Sequence, residues 1–216
     1  KLYLFEKLIK KKGNVITDAN IPQSKKISDI SKKKKLNLNL IFKKKCIELI
    51  FHKFLNDKQI FEIKYHNKIY RIKLNLIGKI QIKNILMAIL AAHKSGLKFK
   101  KIINTIHKLK SVEGRLEKIG NIKNNSKVVL DYAHTPEALK LALVSLKEQF
   151  PMSKISLVFG CGGDRDFKKR SIMGKIAEKY SDKIYLTDDN PRYENPSKIR
   201  KDIKKGINKL KIREIS

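Results

Sequence analysis

The second half of this 216-residue chain predicts an α/β fold with a parallel-rich sheet. Two observations carry that reading. Three apolar runs, at 127–131, 154–160 and 183–187, each stop abruptly at charged, Gly or Pro residues. Each is followed by a stretch with apolar residues at helical spacing, at 136–149, 168–180 and 196–209. Strands that alternate with helices of this length make parallel βαβ units. Ligands bind outside the carboxyl ends of such strands, so the polar clusters ending the three runs are expected on one rim of a three-stranded sheet.

Each element has its own reason. Pro136 stands where a first helical turn accepts proline, and Ile172, Ile176, Ala177 and Tyr180 give 168–180 one apolar face. In the first half, Leu2, Phe5, Leu8 and Ile9 recur at helical spacing, predicting a helix over 1–11 that Gly13 ends. Residues 14–17 form a short strand candidate, 24–34 a very basic helix, and 36–42 a half-buried strand. The runs 59–64 and 69–74 both alternate around Tyr65-His66-Asn67-Lys68, which predicts a hairpin. Ile82, Ile85, Leu86, Ile89 and Ala92 line one face of a helix over 80–94, with Gly96 as the expected residue past its C-terminus. Ile102, Ile103, Ile106 and Leu109 predict a second helix over 98–109. The polar stretch 111–127 then breaks the pattern. A boundary near Val112 to Glu117 divides the chain into domains 1–113 and 114–216.

Composition narrows the function. Net charge is +31 and 41% of residues are hydrophobic, enough for a core. Such charge is one mark of a nucleic-acid-binding protein. Here the lysines are spread along the chain with few aromatics among them to stack bases, so compositional drift is the favoured reading. The runs Lys10–Lys12 and Lys32–Lys35 read as solvated faces. The two cysteines, Cys46 and Cys161, make neither a metal spacing nor a disulfide framework and suit a reducing cytosol. No apolar run reaches the ~18 residues of a membrane span. The N-terminus lacks the features of a signal peptide, and the missing initiator Met reads as a fragment or trimmed product.

The polar clusters offer chemistry. Gly160-Cys161-Gly162-Gly163 permits close backbone approach and reads equally as a phosphate nest or a tight turn. No Gly-Lys-Ser or Gly-Lys-Thr follows it, so it is not a Walker A loop. Asp164-Arg165-Asp166 is either fixed charge for a ligand or a salt-bridged loop. Asp188-Asp189-Asn190-Pro191-Arg192 supplies acceptors, an amide and a guanidinium that can take a carboxylate in two parallel hydrogen bonds. Arg165 and Arg192 together suit a small zwitterionic or dicarboxylic ligand; the plainer reading is a turn in which Asn190 caps a helix and Arg192 faces solvent. Asp131 is a partner for ribose hydroxyls or an N-terminal cap, and a lone His such as His134 is more often structural.

Taken together, Gly114-Arg115-Leu116-Glu117, Asp131 to Pro136, Gly160 to Asp166 with Lys169-Arg170, and Asp189-Asn190-Pro191-Arg192 resemble the Mur ligases in order and spacing. The Asp-Asn-Pro-Arg run resembles the branch that adds meso-2,6-diaminopimelate to the peptidoglycan stem peptide. Gly78 to Ala92 with Asn84 is similar to that family's central-domain helix near the adenine. Lys1-Leu2-Tyr3-Leu4-Phe5 is similar to its Lys-x-x-Leu-Phe element, whose lysine is carbamylated. The resemblance implies the end of a central ATP-binding domain (1–113) followed by an incomplete Rossmann-like C-terminal domain (114–216). It implies a cytoplasmic, ATP- and Mg²⁺-dependent amide ligase of cell-wall synthesis, acting on UDP-N-acetylmuramoyl-L-alanyl-D-glutamate. ATP would phosphorylate the D-glutamate carboxylate, and the diaminopimelate amine would attack the acyl phosphate. Carbamylated Lys1 would hold Mg²⁺, Asn84, Arg115 and Asp131 the nucleotide, and Arg165, Asp189, Asn190, Pro191 and Arg192 diaminopimelate. A monomer is expected, with no membrane and no specific nucleic acid as partner. The family's N-terminal domain, its Gly-Lys-Thr phosphate loop and its last acceptor contacts are expected to lie outside these residues, so the isolated chain is expected to be inactive. The alternatives are a basic nucleic-acid-binding protein and a related ligase such as folylpolyglutamate synthase, against which the Asp-Asn-Pro-Arg run argues.

Overall fold

Two short strands, β1 (Asn14–Asp18) and β2 (Asn37–Ile41), pair in parallel around the crossover helix α1 (Ser24–Lys33), burying Val15, Ile27 and Leu36. They open the first of two compact units, Lys1–Ser111 and Val112–Ser216, in a computed structural model that describes residues 2–43, 46–208 and 212–214. The helix expected over 1–11 is a five-residue π-helical turn, Leu4–Leu8. Its wider register leaves Leu8 exposed, while Leu2, Phe5 and Ile9 pack on the β1–α1–β2 core.

The rest of the first unit is an antiparallel sheet in the order β3 (Glu48–Leu55), β4 (Lys58–Tyr65), β5 (Lys68–Leu74). The expected hairpin is β4–β5, turned by His66 and Asn67, both at positive φ, as a two-residue hairpin turn requires. Phe61, Ile63, Ile72 and Leu74 pack against Ile82, Ile85, Leu86, Ile89 and Leu90 of α2 (Ile80–Lys94). Gly96, at φ +100, closes that helix, and the Leu97 N–H reaches the Ala92 carbonyl at 3.2 Å. The helix expected over 98–109 stops sooner. It is α3 (Phe99–Thr105), after which the Thr105 hydroxyl bonds the Ile102 carbonyl and Ile106–Lys108 tighten to a 3₁₀ turn.

The second unit is α/β, with one correction to the expected sheet. The run near 127–131 becomes β7 (Ser126–Leu130), but it pairs antiparallel with β6 (Glu117–Ile122) in a sheet of two. Asn124 and Asn125, at φ +59 and +56, reverse the chain between them; asparagine tolerates that region better than most residues. The parallel sheet is ordered β10 (Ile212–Glu214), β9 (Lys183–Leu186), β8 (Ser156–Phe159). Its rim therefore carries two of the three clusters, those after β8 and β9. Helices α4 (Pro136–Gln149), α5 (Lys168–Tyr180) and α6 (Pro196–Lys204) supply Leu139, Leu143, Met173, Ala177, Ile199 and Ile203 to one core with Ile184 and Leu186. Buried Cys161 packs its sulfur 3.8 Å from that of Met173, and burial pushes its thiol pKa up.

Helix α6 ends earlier than the sequence suggests because of a close approach. A Cβ on Gly206 would sit 2.0 Å from the Ser171 carbonyl oxygen and 2.8 Å from the Lys175 nitrogen, both backbone atoms of α5. Gly120, by contrast, has nothing within 4 Å. Gly206→Ala should therefore destabilise the second unit by about 1–3 kcal/mol, the usual cost of overpacking. Gly120→Ala should be neutral or slightly stabilising. Urea denaturation of both variants tests this, and equal midpoints would refute it.

Candidate functional site

The second unit gathers two polar clusters. At the end of β7, the Asp131 Oδ2 accepts the Leu116 N–H at 2.9 Å, and the Tyr132 N–H donates to the Gly114 carbonyl at 2.7 Å. The Gly114 N–H in turn donates to Glu117 Oε2 at 2.8 Å. Gly114 (φ +62) and Leu116 (φ +47) take left-handed conformations, so Gly114 to Glu117 is a tight loop strapped to the strand end. The loop turns Arg115 outward, its guanidinium carbon 5.2 Å from the centroid of the exposed Tyr132 ring, within cation–π range. The His134 ring meets Tyr132 edge-on at 5.2 Å. Thr135, not Asp131, caps α4, accepting the Ala138 N–H. That leaves the Asp131 carboxylate with acceptor capacity beyond Leu116.

The second cluster joins the loops after β8 and β9. A Cβ on Gly160 would lie 2.4 Å from the Thr187 carbonyl oxygen, and one on Gly163 1.9 Å from that of Pro191. The two loops thus run backbone against backbone, and only glycine fits. The Gly163 N–H donates to the Asn190 carbonyl at 2.8 Å, and the Arg192 Nη1 donates to the Gly163 carbonyl. Arg192 sits at φ +50 with its N–H on Asn190 Oδ1. Asn190 therefore shapes the Arg192 turn, while Asn195 caps α6. Over Gly162 the Arg192 Nη1 and the Asp189 Oδ2 converge, 3.6 and 3.8 Å from where a Cβ would be. Asp188 instead pairs with Arg200 of α6. Arg165 is exposed between Asp164 and Asp166, whose carboxylates accept the Tyr193 and Lys168 N–H groups.

The structure thus brings together Asp189, Asn190, Pro191 and Arg192, sets the loop that carries Arg165 beside them through Asp164, and separately joins the loop of Arg115 to Asp131. Asn84 belongs to the first unit, exposed on α2, its amide donating to Gln81 at 3.3 Å. Lys1 lies outside the described residues. Sequence reasoning missed what supports these loops. Arg170 on α5 is buried, with 1% side-chain exposure. Its Nη2 and Nη1 fork onto Glu194 Oε1 and Oε2 at 2.7 and 2.9 Å, and Nη1 also reaches Asp202 at 3.2 Å. Beside it, the Lys169 Nζ donates to the His134 carbonyl at 2.7 Å. The signal was a cation in line with Met173 and Ala177 on the apolar face of α5; a charge there requires a buried partner.

Residues 114–216 match the family model of the Mur ligase glutamate ligase domain. A curated relative, the UDP-N-acetylmuramoyl-L-alanyl-D-glutamate–2,6-diaminopimelate ligase of Rickettsia typhi, is 36% identical over 216 residues, which is all of this chain and 43% of the relative. A solved structure of a ligase of the same name is 25% identical, with a TM-score of 0.62 over 94% of this chain and 42% of that one. Folylpolyglutamate synthase from Thermotoga maritima shares the fold, at 23% identity and a TM-score of 0.75 over 97% of this chain and 48% of that one. The chain spans less than half the length of the curated relatives it matches.

The charge network has a pH signature. The Glu194 pKa is held below its ordinary 4.5, first by the Arg170 hydrogen bond and then by the Asp164 N–H. Asp202 is held below its ordinary 3.8, first by Lys205 and then, after an opposing burial contribution, by Arg170. Depressed carboxylate values contribute stability that is complete above the ordinary range and lost as pH falls through it toward the folded values. The melting temperature should therefore be flat near neutrality and fall below about pH 4.5. Glu194→Gln should flatten that fall. Melts of both proteins between neutral and acid pH test it, and parallel profiles would refute the assignment.

Proposed function

The chain belongs to the Mur ligase family, and from that premise we propose that it is the acceptor-binding portion of an ATP-dependent amide ligase that adds meso-2,6-diaminopimelate to UDP-N-acetylmuramoyl-L-alanyl-D-glutamate. The observation that carries the reading is the convergence of Asp189, Asn190 and Arg192 on Gly162, at the carboxyl ends of β8 and β9. Diaminopimelate differs from lysine by a second carboxylate on the distal carbon. Taking that carboxylate out of water requires a cation that can also hydrogen-bond it. The Arg192 guanidinium has one nitrogen on the Gly163 carbonyl, which anchors it at the strand end, and it carries five N–H donors in all. Asp189 suits the ammonium of the same amino-acid end.

The nucleotide falls to the other cluster in this reading. The Asp131 carboxylate suits paired ribose hydroxyls, and Arg115, held over Tyr132, suits phosphate. Among the described residues no group of three His, Cys, Asp or Glu side chains is set to hold a metal. No helix among the described residues is long and apolar enough to cross a membrane. The reading remains that of a cytoplasmic, monomeric enzyme of peptidoglycan synthesis working on small molecules.

Arg192→Ala should lower kcat/KM for diaminopimelate by about two orders of magnitude, since removing one partner of a desolvated charge pair costs about 2–5 kcal/mol. Arg192→Lys should recover only part of this, because an ammonium cannot reproduce the fork. The KM for ATP should hardly change. Steady-state kinetics of the native gene product containing this chain, with diaminopimelate and with L-lysine, is the test. A wild type that prefers L-lysine, or an Arg192→Ala variant with undiminished efficiency, would sink the reading.

A further inference from the structure

We propose that Arg170, which contacts neither proposed ligand, is the positioning residue that sets the geometry of the acceptor site; the proposal rests on the acceptor reading of Asp189 to Arg192. Arg170 is the point where four segments meet. It leaves α5, forks onto Glu194 after β9, reaches Asp202 of α6, and points Nη2 at the Gly162 carbonyl 3.5 Å away. Glu194 passes the constraint on. Its Oε1 also accepts the Asp164 N–H at 2.6 Å, and its own N–H donates to the Pro191 carbonyl at 3.0 Å.

The residues on either side of this fork are those proposed to hold diaminopimelate. Arg192 stands two residues before Glu194, in a left-handed turn that few residues adopt unaided. Arg165 follows Asp164, whose N–H and carboxylate are both engaged by the 193–194 segment. With Glu194 held, the 1.9 Å approach that a Gly163 Cβ would make to Pro191 is maintained, and the Gly163 carbonyl stays under the Arg192 guanidinium. A buried bidentate pair sets both distance and plane. A lysine at 170 would keep the charge and lose the plane, letting the two loops shift relative to one another. The nucleotide-side cluster is tied instead through Lys169 to His134, so the two halves of the site respond separately.

The experiment is titration calorimetry of meso-diaminopimelate, and separately of ADP, into the native gene product containing this chain. Wild type, Arg170→Lys, Glu194→Gln and Arg192→Ala are compared, with a thermal melt for each. Arg170→Lys is expected to weaken diaminopimelate binding about ten- to a hundredfold, as a misplacement near 1 Å does, and to leave ADP binding unchanged. Glu194→Gln, which loses the charge and turns one of the two acceptors of the fork into a donor, should also weaken diaminopimelate binding and spare ADP, and it carries the test if Arg170→Lys fails to fold. Wild-type diaminopimelate affinity in Arg170→Lys, beside a loss in Arg192→Ala, would overturn the positioning role and leave the acceptor reading intact. Equal weakening of ADP and diaminopimelate would reduce Arg170 to general stability and also overturn it. A wild type that binds no diaminopimelate, or an Arg192→Ala variant equal to it, would remove the acceptor reading and this proposal with it.

Discussion

A guanidinium taken out of water must find acceptors for its protons, and Arg170, with 1% of its side chain exposed, finds them for its two terminal nitrogens on three other segments, while its Nε has none. Desolvating such a charge costs several kcal/mol unless the geometry of its partners is good. Glu194 meets that demand with both carboxylate oxygens, and Asp202 adds a third contact. The same contacts tie the loop after β9 to α5 and α6. Once that loop is held, the loop after β8 has room only for backbone, which is why Gly160 and Gly163 face the Thr187 and Pro191 carbonyls. Strand ends, glycines and buried charge are one constraint seen from three sides.

Charge in this region is divided by exposure. Arg170 and Arg200 are turned inward onto Glu194, Asp202 and Asp188, while Arg115, Arg165 and Arg192 are exposed. The inward set fixes the loops, and the outward set is the one proposed to meet ligands. A small anion therefore meets cations whose backbone is already ordered, which lowers the entropic cost of binding. Likeness in fold to a folylpolyglutamate synthase shows that the scaffold is shared with a ligase of another name. On the acceptor reading proposed above, choice among acceptors would rest on the few side chains at the ends of β8 and β9, as where function is grafted onto a common fold.

The bounds of α2, α4 and α5 were legible to the residue from helical spacing and a local terminator: Gly96, Thr135-Pro136, or the polar Lys168 and Ser181. The expected face of α5 was not: Ile172 is 48% exposed, and the helix buries Arg170, Met173, Gly174 and Ala177. Two of the three strands that went unread, β3 and β6, share a physical cause. In β3 the register shifts between Leu49 and Phe51, and in β6 between Lys118 and Gly120. A bulge places two residues against one and breaks the alternation by which a strand is recognised. In β3 it leaves Ile50 and Phe51 both exposed. β10 is three residues long, too short for periodicity to register.

The sequence by itself determined the α/β character of the second half, the hairpin β4–β5, and which polar residues end β8 and β9. Those are local properties, set by the spacing of apolar residues and by glycine, proline and asparagine at turns. Tertiary structure decided that β7 pairs with β6 and not with β8, that Thr135 and Asn195 take the capping roles open for Asp131 and Asn190, and that Arg170 is the buried charge joining α5, α6 and the loops after β8 and β9. Its partners Glu194 and Asp202 lie 24 and 32 residues along the chain. No local pattern names a partner at that distance; only packing α5 against α6 brings the three charges within reach of one another.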